Sequence, residues 1–215
     1  MHCVLLFLVA VLPLSTALHQ GRVKPPAECE ATEIKFPRHD EYVKKINKYR
    51  KLMIEGNQRN GQRFRNLPMG ENVLEMEWSC DLEKKAIAAF DNTCPTQPPG
   101  APTNTTGFFV YQNETDEDPM DLWLSEINRT HLDLHEHPEA PVRCHGKNPN
   151  YCNLVRYDAA RIGCAEKDCS GKKSTFCLID RPPLKDDDVL YYWGEGACPT
   201  GATANHNHAE NDHMF

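Results

Sequence analysis

His131, His135 and His137 fall within the seven residues His-Leu-Asp-Leu-His-Glu-His, and imidazole is both a metal ligand and a proton carrier near neutral pH. If the helix that carries Trp123 ran on through them, His131 and His135 would share a face at i, i+4, the spacing that metal-binding helices use. Pro138 stops such a helix, and no glutamate base stands between the two histidines, so solvated surface histidines are the simpler reading and no metal site is expected. A second group, His206, His208 and His213 with Glu210 and Asp212, follows Cys198-Pro199-Thr200-Gly201 in a stretch without apolar period. Residues 199–215 read as a disordered tail. The chain shows no Ser-His-Asp order around a strained elbow, no glycine-rich phosphate loop, and no Cys-His pair that outweighs disulfide use. No cofactor is expected.

Cysteine is the other reactive type, and its use depends on the compartment. Met1-His2-Cys3 leads into an apolar run from Val4 to Leu14, and Ser15-Thr16-Ala17 supplies small residues for cleavage, so residues 1–17 read as a signal peptide and the protein as secreted. That run is shorter than the roughly 20 apolar residues of a membrane span, and no later stretch approaches it, so stable membrane insertion is not expected. Of ten cysteines, Cys3 leaves with the signal; the remaining nine allow four disulfides and one further thiol. Asn104, Asn113 and Asn128 head Asn-x-Thr glycosylation acceptors and place that segment at the surface. Acidic residues outnumber basic ones, 31 to 24, which argues against a nucleic-acid partner.

The elements that must position any site follow from spacing. Residues 18–37 hold three prolines and read as an extended arm. One domain then covers residues 38–198. Tyr42, Ile46, Tyr49 and Met53 recur at four, three and four, predicting an amphipathic helix from near Arg38 to the Gly- and Asn-containing stretch after Glu55. A second helix has Asp81 as its expected N-cap and Leu82, Ala86 and Ala89 on one face, small enough to lie close on a sheet. Strand-prone runs are Tyr151 to Tyr157, Arg161 to Ala165 and Phe176 to Ile179. Cys164 and Cys177 face each other across a Ser-Gly-Lys-Lys turn, so they could staple two antiparallel neighbours.

Several motifs occur in order: Asn47 and Arg50 in Ile-Asn-Lys-Tyr-Arg; Trp78, Leu82, Ala86, Ala89 and Cys94; Trp123-Leu-Ser-Glu126; Leu154-Val155; Arg161-Ile-Gly-Cys164; Cys177 with Pro182-Pro183; and Tyr191-Tyr-Trp-Gly194 with Cys198. Together they resemble the CAP superfamily, the SCP/TAPS or venom allergen-like proteins, including those of parasitic helminths. The resemblance covers about Arg38 to Cys198. It implies an α+β fold, a three-layer α-β-α sandwich on a central antiparallel sheet stapled by disulfides, with Cys164–Cys177 and Cys80–Cys169 paired.

The resemblance also implies a cleft where two histidines and two glutamates can hold a divalent metal. The stretch directly after Cys94, Pro-Thr-Gln-Pro-Pro-Gly-Ala-Pro, holds no histidine, Phe108 in Gly107-Phe108-Phe109 stands for one glutamate, Glu126 survives, and Asn150 stands for the second histidine. Gly70-Glu71-Asn72 looks like the missing motif but precedes the second helix and reads as a loop. One carboxylate cannot hold zinc, so the cleft is degenerate and the protein is expected not to be an enzyme. What the family then implies is lipid binding. A groove lined by Tyr42, Ile46, Tyr49, Leu122 and Ile127 could bury a sterol or fatty acid at roughly 0.8 kcal/mol per methylene. The alternative partner is a host extracellular protein recognised by the glycosylated surface.

Overall fold

The computed structural model describes Cys29 and residues 32–62, 65–90, 94–134 and 140–194. The signal-peptide stretch, His135, His137, Cys198 and the histidine-rich tail fall outside the described residues. In chain order the elements are α1 (His39–Ile54), β1 (Gly70–Glu71), β2 (Glu77–Trp78), α2 (Cys80–Ala89), β3 (Thr106–Asn113), α3 (Pro119–Leu124), α4 (Glu126–Arg129), β4 (Val142–Cys144), α5 (Pro149–Val155), β5 (Arg161–Asp168), β6 (Lys172–Ile179) and β7 (Asp188–Trp193).

α1 forms where its spacing predicts, with Asp40 and Glu41 in its first turn and Lys51 in its last, each matching the helix dipole. Tyr42, Ile46 and Met53 are fully buried, but the stripe continues through Arg50, while Tyr49 is only half-buried. The Arg50 guanidinium is satisfied inside the core. Its Nε and Nη2 donate to the Leu154 carbonyl at 3.2 and 2.9 Å, and Nη1 donates to the carbonyls of Ala159, at 2.7 Å, and Leu74. Asn47 exchanges two hydrogen bonds with the backbone of Met76. The two polar residues of the first helix motif therefore tie α1 to the segments around it.

The larger sheet has the order β2-β5-β6-β3; β2 runs parallel to β5 and the other neighbours are antiparallel. Side chains alternate across it. Cys164, Cys177, Ile162 and Ile179 face the main core with Tyr42, Ile46 and Trp123, while Ala165, Phe176 and Leu178 face Leu82, Ala86 and Phe90 of α2. This gives the expected three layers, with the parallel strand β2 as an addition. A smaller sheet has the order β1-β7-β4. Gly163 permits α2 to lie on β5: a Cβ there would stand 2.2 Å from the Glu83 nitrogen and 2.6 Å from the Leu82 carbonyl carbon.

Four sequence-based expectations need correction. Tyr151 to Val155 is helix, not strand. Its residues are buried on every side, so the run has no period to distinguish the two. α2 is capped by Ser79, whose hydroxyl accepts from the Leu82 N–H, and Asp81 instead pairs with Lys85 on the surface. Gly70-Glu71 is not loop but a short strand paired to Trp193 and Tyr192 of β7. Finally, Cys80 pairs with Cys29 and Cys169 with Cys94, alongside Cys144–Cys152 and the expected Cys164–Cys177. The start of α2 sits over Gly163, six strand positions before Cys169, a distance of about 20 Å that a Cys80–Cys169 bridge cannot span.

Candidate functional site

Glu126 opens α4, and its carboxylate is fully engaged. Oε2 accepts from the backbone N–H groups of Asn150 and Tyr151 at 2.9 and 3.0 Å, and Oε1 accepts from the Asn150 side-chain amide at 2.6 Å. The reason lies in α5, which begins with Pro149 after Asn148 in left-handed backbone (φ 52°) with no side-chain cap of its own. Its exposed first amides need an acceptor, and Glu126 supplies it from another helix. Asn150, where the resemblance puts a histidine, thus meets Glu126 as a hydrogen-bond partner. Phe108 is buried and packs on Trp123 with ring centroids 5.6 Å apart.

An apolar ring, an amide and a carboxylate already accepting three hydrogen bonds do not make a divalent-metal donor set. The residues do not fit a metal. His131 lies beyond the end of α4 at Arg129 and is not helical, and His135 falls outside the described residues. Its Nε2 lies 3.3 Å from Asp133 instead.

Of the five groove candidates, Tyr42, Ile46 and Ile127 are completely buried in the main core, and Tyr49 and Leu122 are half-buried. Tyr42 packs against Phe36, and Tyr49 meets Tyr151 edge-on at 6.2 Å. Polar groups clamp α1 to α3 beside them. Asp118 caps α3 and accepts from Lys45 at 3.0 Å and from Arg38, while Lys45 also reaches Asp121 at 2.8 Å. An acyl chain between these helices would have to displace side chains already packed.

Sequence reasoning missed a second carboxylate. Glu83 on α2 is 2% exposed. Its Oε1 accepts from the N–H groups of Lys35 and Phe36 at 2.7 and 2.6 Å, and its Oε2 from the Trp78 indole at 3.1 Å. Glu83 therefore pins the arm to α2. Beside it lies a cavity of about 200 Å³ between the arm, α2 and β5, walled by Phe36, Ile87 and Phe90 and by Cys164 to Lys167. No sequence signal pointed here, since the donors lie 47 and 48 residues away. On the other flank, Asn104, Asn113 and Asn128 are all exposed.

The model of the CAP family, the cysteine-rich secretory protein family, matches residues 43–180. Hookworm platelet inhibitor 1 of Ancylostoma caninum is 26% identical over 119 residues, which are 55% of this chain and 56% of that protein, so the match spans about half of its length. The crystal structure of NaASP2 with Zn2+ superposes with a TM-score of 0.63 at 16% identity, covering 78% of this chain and 91% of its own. The structure of BmVAL-1 gives 0.60 at 18% identity, covering 80% and 87%. These likenesses show a common fold.

Proposed function

The chain belongs to the cysteine-rich secretory protein (CAP) family, and on that premise we propose that it is an extracellular binding protein, without catalysis in the cleft, whose ligand is the surface of another protein. The observation that carries this reading is the state of Glu126. The one carboxylate left at the cleft is used to cap α5, so the position where relatives would place a reacting group holds a structural hydrogen-bond network. An extracellular setting is supported by four disulfides and three exposed glycosylation acceptors. A protein ligand is favoured over a sterol or fatty acid because Tyr42, Ile46 and Ile127 are closed into the core.

The test is mass spectrometry of organic extracts from the secreted, glycosylated protein, with saturation binding of labelled cholesterol and labelled palmitate. An empty protein that takes up neither probe agrees with this reading. Stoichiometric lipid that disappears in Ile46→Trp establishes a lipid carrier instead, with its groove between α1 and the α3–α4 segment.

A further inference from the structure

β5 has a partner along the whole of one edge but along only part of the other. On the inner edge, β6 follows it from Ile162 to Asp168. On the outer edge, β2 pairs only with Arg161 and Ile162, and the last backbone bond of that ladder runs from the Ser79 N–H to the Ile162 carbonyl. The direction of the remaining backbone groups follows from register. Cys164 and Cys177 are directly opposed with their Cα atoms 4.0 Å apart, which marks the close pair of an antiparallel ladder, whose members do not bond to each other. The amide and carbonyl of Cys164, and two residues on those of Glu166, therefore point outward. Among the described residues no backbone hydrogen bond from a turn, loop or arm reaches them.

The cavity lies over this edge. The arm that could have filled it is held away, because the N–H groups of Lys35 and Phe36 go to Glu83 rather than to β5. Ile87 stands at the rim, 40% exposed although it is a large apolar side chain. Charge at the mouth is positive. Lys35 and Lys167 have no ion pair among the described residues, the Glu83 carboxylate is consumed, and Glu166 turns to Arg38 and Lys173. Exposed edges are normally covered or blunted because they template strand addition. Among the described residues an edge stands open beside an apolar wall and two cations without an ion pair, in a chain of net charge −7.

We propose that the outer edge of β5 from Cys164 to Lys167, short of Asp168, whose carbonyl has the Cys94 sulfur 3.5 Å away, docks an extended peptide segment of a partner protein, adding a strand to the sheet. The segment is about four residues long, since the edge runs for about 10 Å at 3.3 Å per residue. It carries an apolar side chain toward Ile87 and Phe90 and an acidic one toward Lys35 and Lys167. Strand addition takes its affinity from backbone bonds and its selectivity from alternate side chains. A fatty acid matches the apolar wall and the cations but leaves the outward amide and carbonyl groups unmet, which decides for a peptide. The proposal rests on the reading that the ligand is a protein, and it gives that ligand a place and a chemistry.

The probe is the acetylated, amidated peptide Val-Thr-Asp-Thr, whose Val and Asp share the face toward α2 and Lys167, titrated into the isotope-labelled full chain and followed by amide NMR. Saturable shifts centred on Cys164, Glu166 and Lys167 are expected. N-methylation of alternate peptide bonds in one phase removes the donors that face β5 and weakens binding about tenfold, while the opposite phase leaves it unchanged. Ile87→Asp and Lys167→Glu, both at the rim, each weaken binding several-fold without altering the rest of the spectrum. Shifts that map elsewhere, equal effects of the two methylation phases, or no binding up to the solubility limit overturns the proposal. The two readings fail separately: extracted lipid with peptide binding intact contradicts the protein-ligand reading, whereas an empty chain that ignores the peptide contradicts this site.

Discussion

Two glutamates, Glu126 and Glu83, do the same work at opposite faces of the sheet. Each sits on a helix, accepts two consecutive backbone N–H groups from a segment distant in sequence, and takes a third bond from a side-chain donor, the Asn150 amide or the Trp78 indole. They differ in what is left beside them. Around Glu126 the carboxylate is taken up by the start of α5 and the Asn150 amide, so the cap leaves no acceptor for a ligand. Around Glu83 the cap draws the arm away from β5 and leaves an edge and a cavity. A carboxylate at a family's reactive position can be structural, and one that no motif marks can shape a surface.

The comparison can be broken most severely at Gly163, where α2 touches β5. Gly163→Ala puts a methyl group into backbone rather than into a yielding side chain. It should cost more than about 3 kcal/mol in urea unfolding, or prevent folding outright. A variant of wild-type stability would show that α2 does not press on the strand. Next, Glu83→Ala strands three donors in a buried place and should cost about 3 kcal/mol, whereas Glu126→Ala, in a partly exposed place, should cost about 1–2 kcal/mol. Measuring both by denaturation sharpens the contrast, and the reverse order would undo it.

The effect should change sign at Tyr151, whose buried hydroxyl has no hydrogen-bond partner among the described residues. Tyr151→Phe should gain about 1 kcal/mol, since nothing is lost but an unmet donor. The same residue sets a pH dependence. Burial raises the pKa values of Tyr42, Tyr151 and Tyr191 above the ordinary 10.0, so the folded protein keeps protons that the unfolded chain releases. Stability from these groups is complete below pH 10 and falls as pH rises above it. Thermal unfolding should show a declining alkaline limb that is shallower in Tyr151→Phe, the smallest effect of the series.

Much of this was legible. The four-three-four spacing located α1, the ordered motifs located α2 and the β5–β6 pair, and Trp123-Leu-Ser-Glu126 marked the surviving carboxylate. What escaped was non-local or without period. α5 is buried all round, so its alternation carries no sign of helix. The partner of Cys80 depends on the path of an arm whose sequence has no pattern. Arg50 looks like a polar face residue until three carbonyls from distant segments close on it. Glu83 reads as an ordinary helix glutamate because its donors come from the arm and from a tryptophan one element earlier. The open edge depends on how far β2 extends along β5, which no single segment encodes.

The central claim is that the Glu126 carboxylate is a cap and not a ligand, and it is tested most directly by calorimetric titration of Zn2+ into the full chain and into Glu126→Gln. The histidine-rich tail is common to both proteins, so any uptake there cancels. Identical titrations are expected. A stoichiometric site present in the parent and abolished by Glu126→Gln would contradict the account and return the cleft to metal chemistry.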